Sequence, residues 1–434
     1  MLFDEALRYL LSLGHETIAI KLGLGNTERL LEALGQPQRA FPKVQIAGTN
    51  GKGSTAVMLE AITLAANINT ALYTSPHLFN ITERMRFDGQ EIQREAFAAL
   101  TATVRDAANE LRASGELPAL PTFFEHLTAM FLYACAGAWT ELAILETGLG
   151  GRLDATTAAG AQIVAITPIA LDHQEYLGAT LAEITAEKAA IIRPGVAAIV
   201  APQMPEALAV INARCAECEV KPQLNDCEPL IQDAETDGRL RVTFKTAHER
   251  YENVLLGLRG RHQVTNACVA IQIAETLSER GFHLSRADII AGIEQARHAG
   301  RLEIFDGEPP IIFDGAHNIA GALALRDYLD EFVAAPLTLV FGAMRDKDLL
   351  EIAAILFPVA RRLILTQPPS NPRAASPETL ARVVPRDVDA ARVTLAPDLD
   401  EALRLALKQT PRDGVVCVTG SLYLVGEAQS ILRR

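Results

Sequence analysis

The run Val44-Gln45-Ile46-Ala47-Gly48-Thr49-Asn50-Gly51-Lys52-Gly53-Ser54-Thr55 constrains this chain more than any other stretch. An apolar strand passes into a glycine-rich loop that carries one lysine, and a helical pattern follows. Backbone N–H groups of such a loop and of the helix behind it point at an anion, the glycines admit close approach, and the lysine adds charge. The order departs from G-x-x-x-x-G-K-[ST] in two places: Ile46 stands where the first glycine would be, and Gly53 separates Lys52 from Ser54. The run reads as a phosphate cradle of a variant type, against the blander alternative of a glycine turn between a strand and a helix.

At 434 residues the chain has room for two or three domains, and 49% hydrophobic residues suffice for large cores. Met1-Leu2-Phe3-Asp4-Glu5 carries acid where an export signal carries base, and Phe3, Leu7, Leu10 and Leu11 fall at helical spacing. The uncharged stretch from Leu127 to Thr140 is too short to span a bilayer and predicts a buried helix. A cytoplasmic globular protein without a membrane partner is expected. The net charge of −13 argues against nucleic acid, which needs a dense basic surface. Cys215 and Cys218 form one C-x-x-C with Cys227 nearby, but no second pair at zinc spacing follows, so the thiols read as incidental.

The pattern predicts an α/β chain of two domains. Candidate strands at Lys43–Ala47, Thr70–Thr74, Leu142–Glu146, Ile163–Thr167 and Ala198–Ala201 alternate with helical segments, which implies a mostly parallel sheet in an N-terminal P-loop-type domain, residues 1–295. Within it, Glu219 to Leu256 reads as a β-hairpin insertion, from the alternation of Leu240, Val242 and Phe244 after Asp237-Gly238. A linker at 296–300 leads to a smaller Rossmann-like α/β domain, 301–434, with strands at Pro310–Phe313, Leu337–Phe341, Arg362–Thr366, Val393–Leu395 and Val415–Thr419. Ser75, Glu146, Asp172 and His173 follow strands, and the carboxyl ends of parallel strands form one ligand crevice. Arg301 closes the linker, where two domains could shut on an anion. A surface arginine is the alternative.

Several separated motifs share one likeness. Gly-Thr-Asn-Gly-Lys-Gly-Ser, Glu146-Thr147-Gly148-Leu149-Gly150-Gly151-Arg152-Leu153-Asp154-Ala155-Thr156, Ala170-Leu171-Asp172-His173, Glu187-Lys188-Ala189, Gly260-Arg261-His262-Gln263-Val264-Thr265-Asn266 and Asp314-Gly315-Ala316-His317-Asn318 stand in family order. So do Phe341 to Asp348 and Thr419-Gly420-Ser421-Leu422-Tyr423. Together they resemble the folylpolyglutamate synthase and dihydrofolate synthase branch of the Mur ligase superfamily. Two positions depart from its pattern: Ala299 stands before Gly300-Arg301 where proline is usual, and Thr157 where asparagine commonly follows D-A-T.

The resemblance implies roles that the residues alone leave open. It makes Gly48, Thr49, Asn50, Gly51, Lys52, Gly53 and Ser54 the ATP phosphate site, with Asn266 at the adenine, Asp314 at the ribose, and Arg301 and His317 at the nucleotide. It assigns Ser75, Glu146 and His173 to magnesium, two ions in all, and a carbamylated Lys188 to the same metal. Read alone, Glu146 could cap a turn, His173 could be a core histidine and Lys188 a surface lysine. It places Thr122, Phe123, Phe124, Glu125, Leu153, Asp154 and Ala155 at a pterin pocket, although two phenylalanines opening an apolar helix are ordinarily core.

The implied activity joins L-glutamate to dihydropteroate or to folates, with ATP consumed through an acyl phosphate, by a monomer. Lys52, Lys188 and His317 would carry the catalysis. A ligase acting on UDP-muramoyl peptidoglycan precursors is the alternative enzyme, but those relatives carry a separate domain before the phosphate loop, and 47 residues precede Gly48 here. A non-catalytic ATP-binding module would not need Glu146, His173, Lys188 and His317 together.

Overall fold

The structure is a computed structural model that describes residues 1–14, 23–224, 226–368 and 371–433. Its larger half is built on an eight-stranded sheet. The strands are β1 (Lys43–Ala47), β2 (Thr70–Tyr73), β3 (Met85–Phe87), β4 (Gln90–Glu91), β5 (Leu142–Glu146), β6 (Ile163–Ile166), β7 (Ala197–Val200) and β8 (Gln223–Leu224), in the order β4-β3-β2-β5-β1-β6-β7-β8. From β2 to β8 all pairs are parallel, and only β3 and β4 run antiparallel at one edge. Every residue of β1 is buried, because helices cover both faces of the sheet. With β1 flanked by β5 and β6, the segments that leave β1, β2, β5 and β6 open side by side on one edge.

The expected hairpin is a three-stranded antiparallel sheet of β9 (Cys227–Ala234), β10 (Leu240–Thr246) and β11 (Arg250–Leu255). Leu240, Val242 and Phe244 point inward with Tyr251 and Val254 onto the first core. Beyond Cys227, β9 is exposed and carries Leu230 at 61% exposure, so it shows no apolar alternation for a sequence reading to find.

The helix Lys52–Ala65 begins inside the phosphate loop and lies against Arg286–Gln295 and His262–Glu279. Its contact with Arg286–Gln295 is close enough that a Cβ on Gly292 would strike the backbone of Ile62. The helix Phe123–Gly137, buried along most of its length as its uncharged stretch predicts, starts at a reciprocal cap between Thr122 and Glu125. At the N-terminal helix Phe3–Ser12, Leu10 is buried while Leu11 is half exposed.

The second half is a six-stranded sheet of β12 (Glu303–Phe305), β13 (Ile311–Phe313), β14 (Leu337–Phe341), β15 (Arg362–Leu365), β16 (Val393–Leu395) and β17 (Val415–Thr419), in the order β12-β13-β17-β14-β15-β16. All pairs are parallel except β12 with β13. β12 is not among the expected strands, and it is an edge strand held by antiparallel pairing to β13. Asp314 follows β13 and Gly420-Ser421 follows β17, so this sheet also presents its carboxyl ends as a ligand edge. The halves touch where Gly426 lies on the carbonyl of Leu78.

An alanine normally gains about 1 kcal/mol over glycine inside a helix. At Gly292 the clash with Ile62 outweighs that gain, and Gly292→Ala is expected to destabilise the protein by about 1–3 kcal/mol. Urea unfolding of parent and variant checks this. Equal or greater stability of the variant would show that the two helices can part.

Candidate active site

The phosphate loop is held in place by the segment after β6. Thr49 and Asn50 donate their backbone N–H groups to Pro168 O at 3.1 and 3.2 Å, and the Thr49 hydroxyl donates to Ala170 O at 3.0 Å. These two amides are therefore spent on the fold, and the anion-facing donors are those at the start of the helix Lys52–Ala65. Gly48 and Gly51 have φ of 151° and 87°. A Cβ on Gly48 would strike Thr167, and one on Gly51 would strike the Asn266 amide. Asn266, buried, donates to Gln263 Oε1 at 2.8 Å and lies directly behind the loop.

Two lysines from distant parts of the chain meet at one carbonyl. Lys188 Nζ donates to Gly48 O at 2.8 Å, and Lys52 Nζ donates to the same oxygen at 3.3 Å and to Thr49 O at 3.1 Å. Lys188 closes the helix Leu181–Ala189, whose N-terminus is fixed by a Thr180 and Glu183 cap. Burial, and then the Lys52 charge, pull the Lys188 ammonium down to about 7. Burial also lowers Lys52, with Glu146 and Asp172 opposing the shift. The alternative of a surface lysine at 188 is excluded, since its residue is 4% exposed.

Glu146 ends β5, is buried, and accepts the Ser75 N–H at 3.1 Å. Burial raises its pKa, against the pull of Lys52 and of the Ser75 hydrogen bond. His173 sits at φ 53°, a conformation few non-glycine residues adopt. Desolvation lowers its imidazole to about 4 although Asp172 stands beside it. Among the described residues, no three His, Cys, Asp or Glu side chains form a ready metal cluster. Ser75, Glu146, His173 and Lys188 nonetheless line one cavity. One carboxylate with a hydroxyl suits magnesium, which keeps waters and takes phosphate oxygens. An unmodified ammonium at Lys188 does not suit it.

The junction of the two halves is tied by Asp172, which the sequence placed at a strand end facing the ligand crevice but gave no role of its own. Its carboxylate accepts Lys347 Nζ at 2.5 Å and Asn318 Nδ2 at 3.0 Å, and His317 Nε2 lies 3.6 Å away. Asn318 also donates to Asn50 Oδ1 at 3.1 Å. Burial would push the Asp172 carboxyl up, but His317, His173 and Lys347 outweigh it and hold it far below the ordinary range. His317 Nδ1 lies 2.8 Å from Gly315 O, which turns Nε2 toward Asp172. Asp314 accepts the N–H groups of Leu302 and Ala316 at 3.0 and 2.9 Å, fixing the strand end next to Arg301. Lys347 is the second residue missed. Its signal was the cation in Arg345-Asp346-Lys347-Asp348.

At the far end of the cavity Thr122, Phe124, Glu125, Leu153, Asp154 and Ala155 line the wall. Phe124 lies across Gly148 and 5.8 Å from the Tyr73 ring. Phe123 is a correction: it does not line the cavity, because its ring is buried in the second core with the Arg84 guanidinium 5.4 Å over it. Asp154 differs from expectation too. It accepts Gly148 N and Leu149 N at 2.9 Å each on one oxygen, and the amide and hydroxyl of Thr156 on the other, so it ties the 148–156 loop and has no acceptor to spare. Glu125 caps its helix with one oxygen, and its buried Oε1 has no hydrogen-bond partner among the described residues. Thr157, the departure from D-A-T-N, is buried, donates to Gly151 O at 2.7 Å and accepts from Gln45.

Of the residues expected at the site, all but Gly48 and Phe123 line one cavity of about 500 Å³ between the two halves. The chain matches the Mur ligase middle domain over residues 46–274 and the Mur ligase glutamate ligase domain over 300–422. It therefore belongs to the Mur ligase family. Within that family it stands with the folylpolyglutamate and dihydrofolate synthases. It is 31% identical over 427 residues to the Bacillus subtilis dihydrofolate synthase/folylpolyglutamate synthase, with 97% of each chain covered. It is 34% identical to the probable bifunctional folylpolyglutamate synthase/dihydropteroate synthase of Haloferax volcanii, covering 100% of this chain and 51% of that one. The chain thus spans about half the length of that relative. The structure of E. coli FolC in complex with DHPP and ADP superposes with a TM-score of 0.87 at 30% identity, covering 100% of this chain and 98% of that one.

Asp172 and Lys347 have side chains 7% and 8% exposed. Removing one charge of such a pair costs about 3–5 kcal/mol. The folded carboxyl has a pKa below its unfolded value of about 3.9, so its contribution is complete above about pH 4 and is lost as pH falls through the folded value. Asp172→Asn is expected to melt lower than the parent at pH 7, with the gap shrinking toward pH 3. Thermal melts across that range decide it, and a gap independent of pH would remove Asp172 as the electrostatic tie.

Proposed function

We propose that the chain is an ATP-dependent ligase that joins L-glutamate to a folate-pathway carboxylate, dihydropteroate or a folate, in a cytoplasmic setting. The carrying observation is the convergence on one cavity of the phosphate loop, the set Ser75, Glu146, His173 and Lys188, and Arg301, Asp314 and His317 from the other half. An ATP-binding domain, 1–295, and a glutamate-ligase domain, 301–434, joined by 296–300, supply its two walls. Both walls come from one chain, which supports a monomer as the working unit.

In the reaction the substrate carboxylate attacks the γ-phosphorus of ATP, the bond to the β-phosphate oxygen breaks, and an acyl phosphate and ADP result. The amine of L-glutamate then attacks the acyl carbon, phosphate leaves with the bonding pair, and the amine gives up a proton. Lys52 and the helix N-terminus behind it offset the charge on the transferred group. Arg301, Asp314 and His317 hold the nucleotide from the other side and keep water from the acyl phosphate. Ser75, Glu146, His173 and a carbamylated Lys188 would hold magnesium, two ions, which when bound would add charge neutralisation on the phosphates.

The contact of Lys188 and Lys52 at Gly48 O supports carbamylation on physical grounds. With its pKa near 7, Lys188 is neutral often enough to capture carbon dioxide, and the product replaces a repelling cation by an anion beside Lys52. At the acceptor end, Phe124 would stack on a pterin ring, with the unpartnered Oε1 of Glu125 available to its amino edge. Asp154 would act by holding the 148–156 loop.

Phosphate release from ATP with L-glutamate tests the function. Turnover is expected with dihydropteroate or tetrahydrofolate and none with a muramoyl nucleotide, whose use would install the peptidoglycan reading instead. Lys188→Ala is expected to lose nearly all activity and to regain part of it with added short carboxylic acids. Plain lysine in the intact mass of active enzyme would end the carbamate assignment. Phe124→Ala is expected to lose stacking worth about 0.5–1.5 kcal/mol with dihydropteroate, beyond area burial. Undiminished kcat/KM for that acceptor would make Phe124 ordinary core.

A further inference from the structure

His298 lies in the connector between the two halves, two residues before Gly300 and outside every motif so far given a role. Its Nδ1 is 3.1 Å from Ser54 Oγ, the hydroxyl that follows the phosphate-loop lysine. Ser54 is buried, and its oxygen also receives Gln263 Nε2 at 3.4 Å. The same imidazole closes the space over Gly53. A Cβ built there would lie 2.9 Å from His298 Cε1 and 3.4 Å from Glu146 Oε2. Gly53 is the residue that separates Lys52 from Ser54, which the ordinary order G-K-[ST] lacks. The inserted glycine and the histidine therefore fit each other: the loop makes room, and the ring fills it.

The connector is held on its other side as well. Gly300, at φ 68°, donates to Glu303 Oε2 at 2.8 Å, and Gly315 N donates to Gly300 O at 2.9 Å. A residue that touches the phosphate loop thus sits on a segment fixed to the strand end bearing Asp314.

We propose that His298 is a positioning residue for the nucleotide: it orients the Ser54 hydroxyl and packs over Gly53, so that the inter-domain connector and the phosphate loop adopt their binding form together. With Gln263 donating to Ser54 Oγ and His298 in its Nε2–H tautomer, the serine proton is directed to His298 Nδ1. One lone pair of the hydroxyl is then left for the ligand. The inference rests on the reading of the loop as the nucleotide site.

Calorimetric titration with ADP and steady-state kinetics test both. His298→Ala is expected to weaken ADP binding and raise the ATP KM about tenfold, with the KM for glutamate within twofold of the parent. His298→Asn, whose amide reaches the Nδ1 position, is expected to recover ADP binding to within threefold. The losses of Ser54→Ala and His298→Ala are expected to be less than additive in the double variant, since the two groups share one contact while the packing of His298 over Gly53 is lost besides. Unchanged ADP affinity in His298→Ala, no recovery in His298→Asn, or additive losses in the double variant would each overturn the proposal. Lys52→Ala separates the two readings. If it also retains ADP affinity, the nucleotide site itself is misplaced; if it loses affinity while His298→Ala does not, only the role of His298 fails. Thermal melts exclude unfolding as the source of any loss.

Discussion

The carbonyl of Gly48 is the point on which the catalytic end is built. It accepts Lys52 from the helix that leaves the loop and Lys188 from a helix more than a hundred residues further on. It can do so because position 48 has no side chain, where a Cβ would meet Thr167 and drive the loop from the segment after β6. Two ammonium groups at one oxygen are tolerable because the carbonyl dipole faces both and because Glu146 and Asp172 supply opposing charge. The loop amides of Thr49 and Asn50 are spent on Pro168 for the same purpose. Anion binding is thereby left to the helix N-terminus, where the unsatisfied N–H groups of the first turn collect.

Asp172 plays the corresponding part between the halves. A carboxylate withdrawn from water is costly unless it is paired and hydrogen-bonded, and here Lys347, Asn318 and the backbone N–H of its neighbour His173 all donate to it. Three of its partners, Lys347, Asn318 and His317, come from the second half, so the closed arrangement satisfies the charge and an open one would return it to solvent. The same residue adjoins His173 and faces His317, which joins domain closure to the setting of the cavity's imidazoles.

The acceptor end is organised differently, by packing and local loops. Phe124 needs the bare Cα of Gly148 beneath it, and Gly148 is held by Asp154. Asp154 in turn is the N-cap of a short helical turn that begins at Ala155. A carboxylate that looks in sequence like a ligand group is thus a brace for the loop bearing the pocket wall, and Thr157, buried and bonded to Gly151 and Gln45, braces it from the other side.

The order of apolar strands and helical segments, the glycine loop after β1 and the acid at the end of β5 were legible in the sequence, because each depends on local rules: period, turn chemistry and what can end a buried parallel strand. The motifs likewise announced which residues would be chemical. What local rules could not give was direction and company. Phe123 and Phe124 are adjacent, yet helical geometry sends one to the core under Arg84 and the other to the cavity. β9 carries no alternating pattern because beyond Cys227 it is exposed along both faces, and its place is decided by pairing with β10. Lys188 and Lys52 share a carbonyl, Lys347 finds Asp172 and His298 finds Ser54 across separations of more than a hundred residues. Those contacts exist only once the strand ends of the first sheet are assembled and, for Lys347, once the second sheet faces the same cleft, so the sequence by itself determined the parts and the tertiary structure decided which charges would have to live together.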